Sequence, residues 1–211
     1  MADDILKRFD RIPLGNICDA NGKVGAMDCG MRPVDPAKRL SGYAYTVKGH
    51  PGDNVAIHMA MLEAPKDSVL VVDLNGYCKG GHFGEIMATA CMAHGIRGLV
   101  IDGSIRDSQD IEDLGFPVFC RAFCPNGTTK NDLGQRGIPV ICGGMQVETG
   151  DLVVGSRDGV VVIKKDRIGD VLVKAEAIMK KEEGIIERLK KGETTADVYR
   201  FEVLEKARGN I

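Results

Sequence analysis

Glu85 and the neighbouring pair Arg106-Asp107, separated from it by twenty residues, supply two carboxylates and a guanidinium. If they meet, Asp107 can bind a hard cation directly, and Glu85 can do so directly or through a water. Two carboxylates with solvent completing an octahedron is the usual style of a magnesium or manganese site. Arg106 beside them can grip a substrate carboxylate with its planar fork. Each residue alone has a plainer reading. An Arg-Asp pair in a loop is commonly solvated, and a glutamate opening a helix is favoured by the macrodipole.

The elements that must position these groups can be read from local pattern. Ser68-Val-Leu-Val-Val-Asp73 and Gly98-Leu-Val-Ile-Asp102 are short β-branched runs ending in a carboxylate, and both predict buried strands. Between them Glu85 to His94 is rich in helix formers, and Gly95 is placed to end the helix. Strand, helix, strand at this spacing predicts a parallel βαβ crossover. In such a unit the loop leaving the first strand, the start of the helix and the loop leaving the second strand share one sheet edge. The segment 74–84, Glu85 and Gly103-Ser-Ile-Arg106-Asp107 should therefore converge there. The first free helix amides, near Ile86 and Met87, would point at the same place and favour a negatively charged substrate group.

The glycines of Gly80-Gly-His-Phe-Gly84 would let the backbone approach a ligand closely. They form neither a Gly-Lys-Ser/Thr phosphate loop nor a Gly-x-Gly-x-x-Gly motif, so a nucleotide has no support from this loop. His82 reads as an exposed loop histidine. His50, His58 and His94 have no partner at metal spacing.

Further short strands are expected at 117–120, 139–142, 151–154 and 159–163, joined by Gly-containing turns that suggest antiparallel β structure beside the βαβ unit. From Arg167 to Lys191 apolar residues recur at helical spacing, predicting an amphipathic helix interrupted near Gly184. A second helix is expected from Thr195 to Arg208, after a break at Gly192. The whole reads as one α/β domain over 1–211, with 167–211 as a helical carboxyl-terminal segment.

Composition narrows the class. A net charge of −2 gives no reason to expect a nucleic acid partner. Seven cysteines, an odd number and several within apolar runs, fit reduced thiols in a cytoplasmic protein. The amino terminus does not resemble a signal peptide, and no apolar stretch approaches the ~20 residues of a membrane helix, so a cytoplasmic location with no membrane contact is expected.

Longer segments carry a resemblance. Leu40-Ser-Gly-Tyr-Ala-Tyr-Thr-Val47, Pro51-Gly-Asp-Asn54, Asp67 to Asp73, Val100-Ile-Asp-Gly-Ser-Ile-Arg-Asp107, Leu114 to Phe119 and Gly150 to Val160 resemble the RraA-like family. That family includes 4-hydroxy-4-methyl-2-oxoglutarate aldolases that also decarboxylate oxaloacetate. Their signature, an acidic residue, twenty residues and Arg-Asp, is matched here by Glu85 and Arg106-Asp107, with Glu where the aldolases often have Asp.

The resemblance implies a β/β/α sandwich of the swivelling type and a homotrimer or homohexamer. It also implies a class II lyase using Mg2+ or Mn2+ to make pyruvate from a small 2-oxo acid. Asn54 becomes a substrate-pocket residue. Gly192-Glu193 looks like the family's segment whose glutamate reaches a neighbouring subunit's metal site, making Glu193 a candidate ligand through water. The same resemblance offers a different class of function, a non-catalytic regulator that binds a ribonuclease.

Overall fold

The structure is a computed structural model that describes residues 2–201 and residue 203. Its centre is a parallel array of four strands, β2 (Leu40–Lys48), β3 (Ser68–Tyr77), β4 (Gly98–Ile105) and β5 (Val118–Phe123), each paired in parallel with the next. The connections are the helices α3 (Val55–Glu63), α4 (Glu85–His94) and α5 (Ser108–Leu114). The βαβ unit predicted around Glu85 is thus the middle one of three. Antiparallel strands extend both edges: β1 (Arg32–Pro33) beside β5, β6 (Gln135–Arg136) and β9 (Leu152–Ser156) beside β2, and β10 (Gly159–Ile163) beside β9. A separate hairpin joins β7 (Val140–Cys142) to β8 (Met145–Val147).

The layers follow from side-chain alternation. Val47, Leu70, Val72, Leu99 and Ile101 face α3, α4 and α5, while Val69, Val71 and Val100 face the opposite way, onto Val140, Cys142 and Val147 of the hairpin. Leu152 and Val154 of β9 pack instead against α1 (Ala2–Phe9), α2 (Leu14–Ala20) and the long α6 (Ile168–Lys190). Because Leu152 stands opposite Tyr43 in the register, and Tyr45 packs with the α3/α4 core, both helical groups cover the same sheet face. The result is a β/β/α sandwich: hairpin, mixed sheet, helices. All eight residues of β4 are buried, and its segment Leu99 to Ile101 is accordingly a continuous apolar run rather than an alternating one. Each large aliphatic side chain so buried stabilises the fold by about 1.5–3 kcal/mol.

Two expectations about the carboxyl-terminal segment change. Helix α6 runs without a break through Gly184. The ~1 kcal/mol that a mid-helix glycine costs is outweighed by the packing of Ile168, Val171, Leu172 and Ala175 on α2 and the sheet. Helix α7 spans only Thr195–Tyr199, opened by a capping box between Thr194 and Asp197 and ended where Arg200 adopts φ 57°. Of the stretch predicted to continue to Arg208, residues 202 and 204–208 lie outside the described residues. No helix among the described residues is long and apolar enough to cross a membrane.

Candidate active site

Strands β3 and β4 end together at the carboxyl edge of the sheet, where Asp73 pairs with Asp102 before the register shifts. The chain leaving β3 runs through Gly80 to Gly84 into α4, and the chain leaving β4 delivers Arg106 and Asp107 directly into α5. The two segments are stitched by the backbone: His82 N donates to Ser104 O at 3.1 Å and Arg106 N to Phe83 O at 2.9 Å.

Asp107 has φ 53°, a left-handed conformation that costs a non-glycine residue ~1 kcal/mol or more. The position is locked because its carbonyl accepts the first bond of α5, from Ile111 N at 3.0 Å. Its side chain does not cap α5. It turns to the start of α4, where Oδ2 accepts from Glu85 N at 3.3 Å and lies 3.5 Å from Arg106 Nε. A carboxylate at a helix amino end is favoured by the dipole. Both charged side chains are more than a third exposed, so this pair contributes little to stability and can be exchanged for a ligand.

The glycines serve this arrangement. A Cβ on Gly81 would stand 2.6 Å from Cys124 O and 2.7 Å from Arg106 Cβ, and one on Gly84 would collide with Asp107 Oδ2. They make room for the protein's own Arg106 and Asp107, rather than for a ligand alone as the sequence suggested.

Around these groups lies a cavity of about 370 Å³, lined among others by Asn54, His58, His82, Met87, Arg106, Asp107 and Lys130. Glu85 is exposed beside it, with its amide on Asp107. The amide expectation needs correcting by one residue. Met87 N is already engaged with Gly84 O at 3.0 Å, whereas Ile86 N has no acceptor among the described residues. Met87 lines the cavity through its buried side chain and Ile86 stands at the rim.

His82 is fully buried, not an exposed loop residue. Its Nδ1 lies 3.1 Å from Ser104 O and its Nε2 accepts from Gly52 N at 3.0 Å. Those partners demand a neutral ring protonated on Nδ1, and burial pulls its pKa below the ordinary histidine value. His82 therefore braces the loop and does not carry protons.

Lys130 and Asp53 were not found from sequence. Lys130 Nζ lies 2.9 Å from Asn54 Oδ1 and 3.4 Å from His58 Nε2. Asp53, buried beneath, holds the Lys130 segment by accepting from Thr129 Oγ1 at 2.7 Å and Asn131 N at 2.6 Å. Burial works against its ionised form, but these bonds, with those from Val55 and Asp132, outweigh it and bring the pKa to about 2. Asn54 also donates to His82 O at 3.2 Å, so it joins the two sides of the cavity.

Glu193 is not at this cavity in its own chain. It forms a bidentate pair with Arg188, with contacts of 3.0 and 2.5 Å, at the end of α6.

A larger cavity, about 470 Å³, is lined by Lys48, Asp73, Asp102 and the β7–β8 hairpin. Its carboxylates are already committed. Asp73 pairs with Lys48 at 2.6 Å, and Asp102 pairs with Arg121 and accepts from Gly143 N at 2.8 Å. The smaller cavity, with a half-exposed guanidinium and carboxylate, has the groups free to act.

Residues 14–162 match the family described as Aldolase/RraA. A protein of Halalkalibacterium halodurans with the provisional name 4-hydroxy-4-methyl-2-oxoglutarate aldolase is 36% identical over 172 residues, 82% of each chain. A solved structure from Pseudomonas syringae pv. tomato is similar with a TM-score of 0.81 at 26% identity, covering 92% of this chain and 96% of that one. A Streptomyces coelicolor member of the RNase ES inhibitor RraA family matches with a TM-score of 0.79 at 25% identity, covering 88% of this chain and 98% of that one.

Proposed function

The chain belongs to the RraA-like family, and from that premise we propose that it is a divalent-metal-dependent carbon–carbon lyase. It cleaves 2-oxo acids of the 4-hydroxy-4-methyl-2-oxoglutarate type to pyruvate and decarboxylates oxaloacetate through the same enolate. The observation that carries this reading is the sharing of one cavity by the Arg106 guanidinium, the Asp107 carboxylate and the amino end of α4.

The donor set suits Mg2+ or Mn2+. Asp107 Oδ1 receives no hydrogen bond from the described residues and Oδ2 only one long one. Asp107 would hold the ion directly, and Glu85 at the rim would hold it through water. A site of one or two carboxylates completed by solvent and substrate is the habit of these hard cations. When bound, such an ion supplies Lewis acidity to the 2-oxo group.

Arg106 grips the substrate's 2-oxo acid end, and the free amide of Ile86 adds a donor to the same charge. For aldol cleavage, a water oriented by Glu85 takes the proton of the 4-hydroxyl, and the bond between carbons 3 and 4 breaks. The electron pair moves onto the pyruvyl fragment, where Arg106 steadies the enolate oxygen. The same water returns the proton to carbon 3, giving pyruvate. In oxaloacetate the corresponding bond releases carbon dioxide and leaves the same enolate. Glu193, brought by a second copy of the chain in a trimer or hexamer, shares the orientation of that water.

The test is pyruvate release from both substrates by purified protein with added magnesium or manganese, measured through a coupled lactate dehydrogenase assay. Activity should depend on the added metal, and Arg106→Lys, which loses the planar fork, should lower kcat/KM by about a hundredfold. No pyruvate from either substrate would overturn the reading. It would favour a non-catalytic, ribonuclease-binding role, which the likeness to the Streptomyces coelicolor relative supports.

A further inference from the structure

Ser104 carries the single hydroxyl of β4, and it is fully buried. Packing does not ask for it: Ile101 and Ile105 on the same strand are aliphatic core residues, and a hydroxyl buried without a partner destabilises. Its Oγ donates to Gly80 O at 2.8 Å. Its carbonyl accepts from His82 N and from His82 Nδ1, each at 3.1 Å. Three hydrogen bonds thus join one strand residue to one short stretch of loop.

They form because β4 loses a neighbour at this point. After the register shift Tyr77 pairs with Gly103 and β3 ends, while on the other side Ser104 still pairs with Ala122 of β5. The loop takes the edge that β3 leaves, and Arg106 N continues the pattern by donating to Phe83 O at 2.9 Å. Gly80, held by Ser104, is followed by Gly81, whose backbone is also tied on its far side, from its N to Asn126 O at 2.8 Å. Gly81 is the backstop of the Arg106 side chain: a Cβ there would stand 2.7 Å from Arg106 Cβ and 3.0 Å from its Cγ.

We propose that Ser104 is a positioning residue: through Gly80 it fixes the backbone of Gly81, against which the Arg106 stem rests, and so sets the direction of the guanidinium. It acts from outside the cavity, which it does not line. The proposal rests on the reaction assigned above and adds to it a buried hydroxyl that never meets the substrate.

The experiment separates the hydroxyl from the volume it fills. Ser104→Cys keeps the size and loses the strong donor, Ser104→Ala loses both, and Ser104→Thr keeps the hydroxyl. With magnesium, kcat/KM for pyruvate release should fall by about tenfold in the Cys and Ala variants, the worth of one hydrogen bond, and recover most of that in the Thr variant. Amide hydrogen exchange by NMR is the second readout. In Ser104→Cys the amides of Gly81, His82 and Arg106 should exchange faster, while those of Val71 and Ile101 in the strands keep their wild-type rates. The proposal is overturned if Ser104→Cys keeps the wild-type kcat/KM, if a folded Ser104→Thr is as slow as Ser104→Ala, or if Val71 and Ile101 speed up in step with the loop. Absence of pyruvate from the wild-type protein overturns the reaction instead, and the exchange pattern, which needs no turnover, still decides whether Ser104 holds the loop.

Discussion

Gly84 and Asp107 compete for one volume: a Cβ at position 84 would collide with Asp107 Oδ2, the oxygen that accepts from Glu85 N. The backbone at Gly84 is extended, with φ −152° and ψ −172°, so any residue could adopt it. Glycine is needed there for what stands opposite, not for its own conformation. The carboxylate central to the proposed chemistry is thus positioned by an absent side chain on another element.

Gly84→Ala should therefore displace the Asp107 carboxylate without straining its own backbone. We expect pyruvate release to fall by about a hundredfold, the cost of misplacing a reacting group by an ångström. The melting temperature should move by no more than roughly 4 °C, because the displaced group is partly exposed. Steady-state kinetics beside a thermal melt separates the two effects.

His82 gives a pH signature in stability. Its folded pKa lies below the ordinary value of 6.5 because the ring is buried. Above about 6.5 neither state carries the proton and the contribution is complete. As the pH falls below that, the unfolded chain binds a proton that the folded ring refuses, so stability declines until the folded pKa is passed. Urea midpoints at pH 7.5 and 5.5 should show this slope, and His82→Ala should flatten it. The variant retains the part due to His58, which burial and the nearby Lys130 also hold low. Leaving Gly52 N without its acceptor should cost about 1–3 kcal/mol at neutral pH.

Asp53 acts in a separate, more acidic window. Its pKa is brought from 3.8 to about 2, so its contribution is present above pH 3.8 and lost as the pH falls through about 2. Asp53→Asn should remove that part of the acid unfolding curve. At neutral pH it should lower the melting temperature by roughly 3–10 °C. Amide hydrogen exchange should speed first at Thr129 and Asn131, where the clamp is cut.

The sequence alone determined the frame and the central pair. The β-branched runs of β3 and β4 and the helix formers between them imply a parallel crossover, and a parallel crossover leaves its outgoing loops on one edge. That topology brings Arg106 and Asp107 to the start of α4 at Glu85, whatever the rest of the chain does. Strand β2 and helix α3 carry no such local signal, because Gly42 and the mixed polar pattern of β2 and the nearly all-apolar sequence of α3 have no clear period.

Only the tertiary structure decided the other wall of the cavity and the state of its histidine. Lys130 meets Asn54 across 76 residues, and Asp53 meets Asn131 across 78. His82 is buried by Gly52 and Ser104, which lie 30 and 22 residues away. Helix and strand signals come from neighbours a few positions apart, whereas these side chains are fixed by hydrogen bonds to residues distant in the chain. A loop with no period leaves no trace of such a bond until the folded chain closes it.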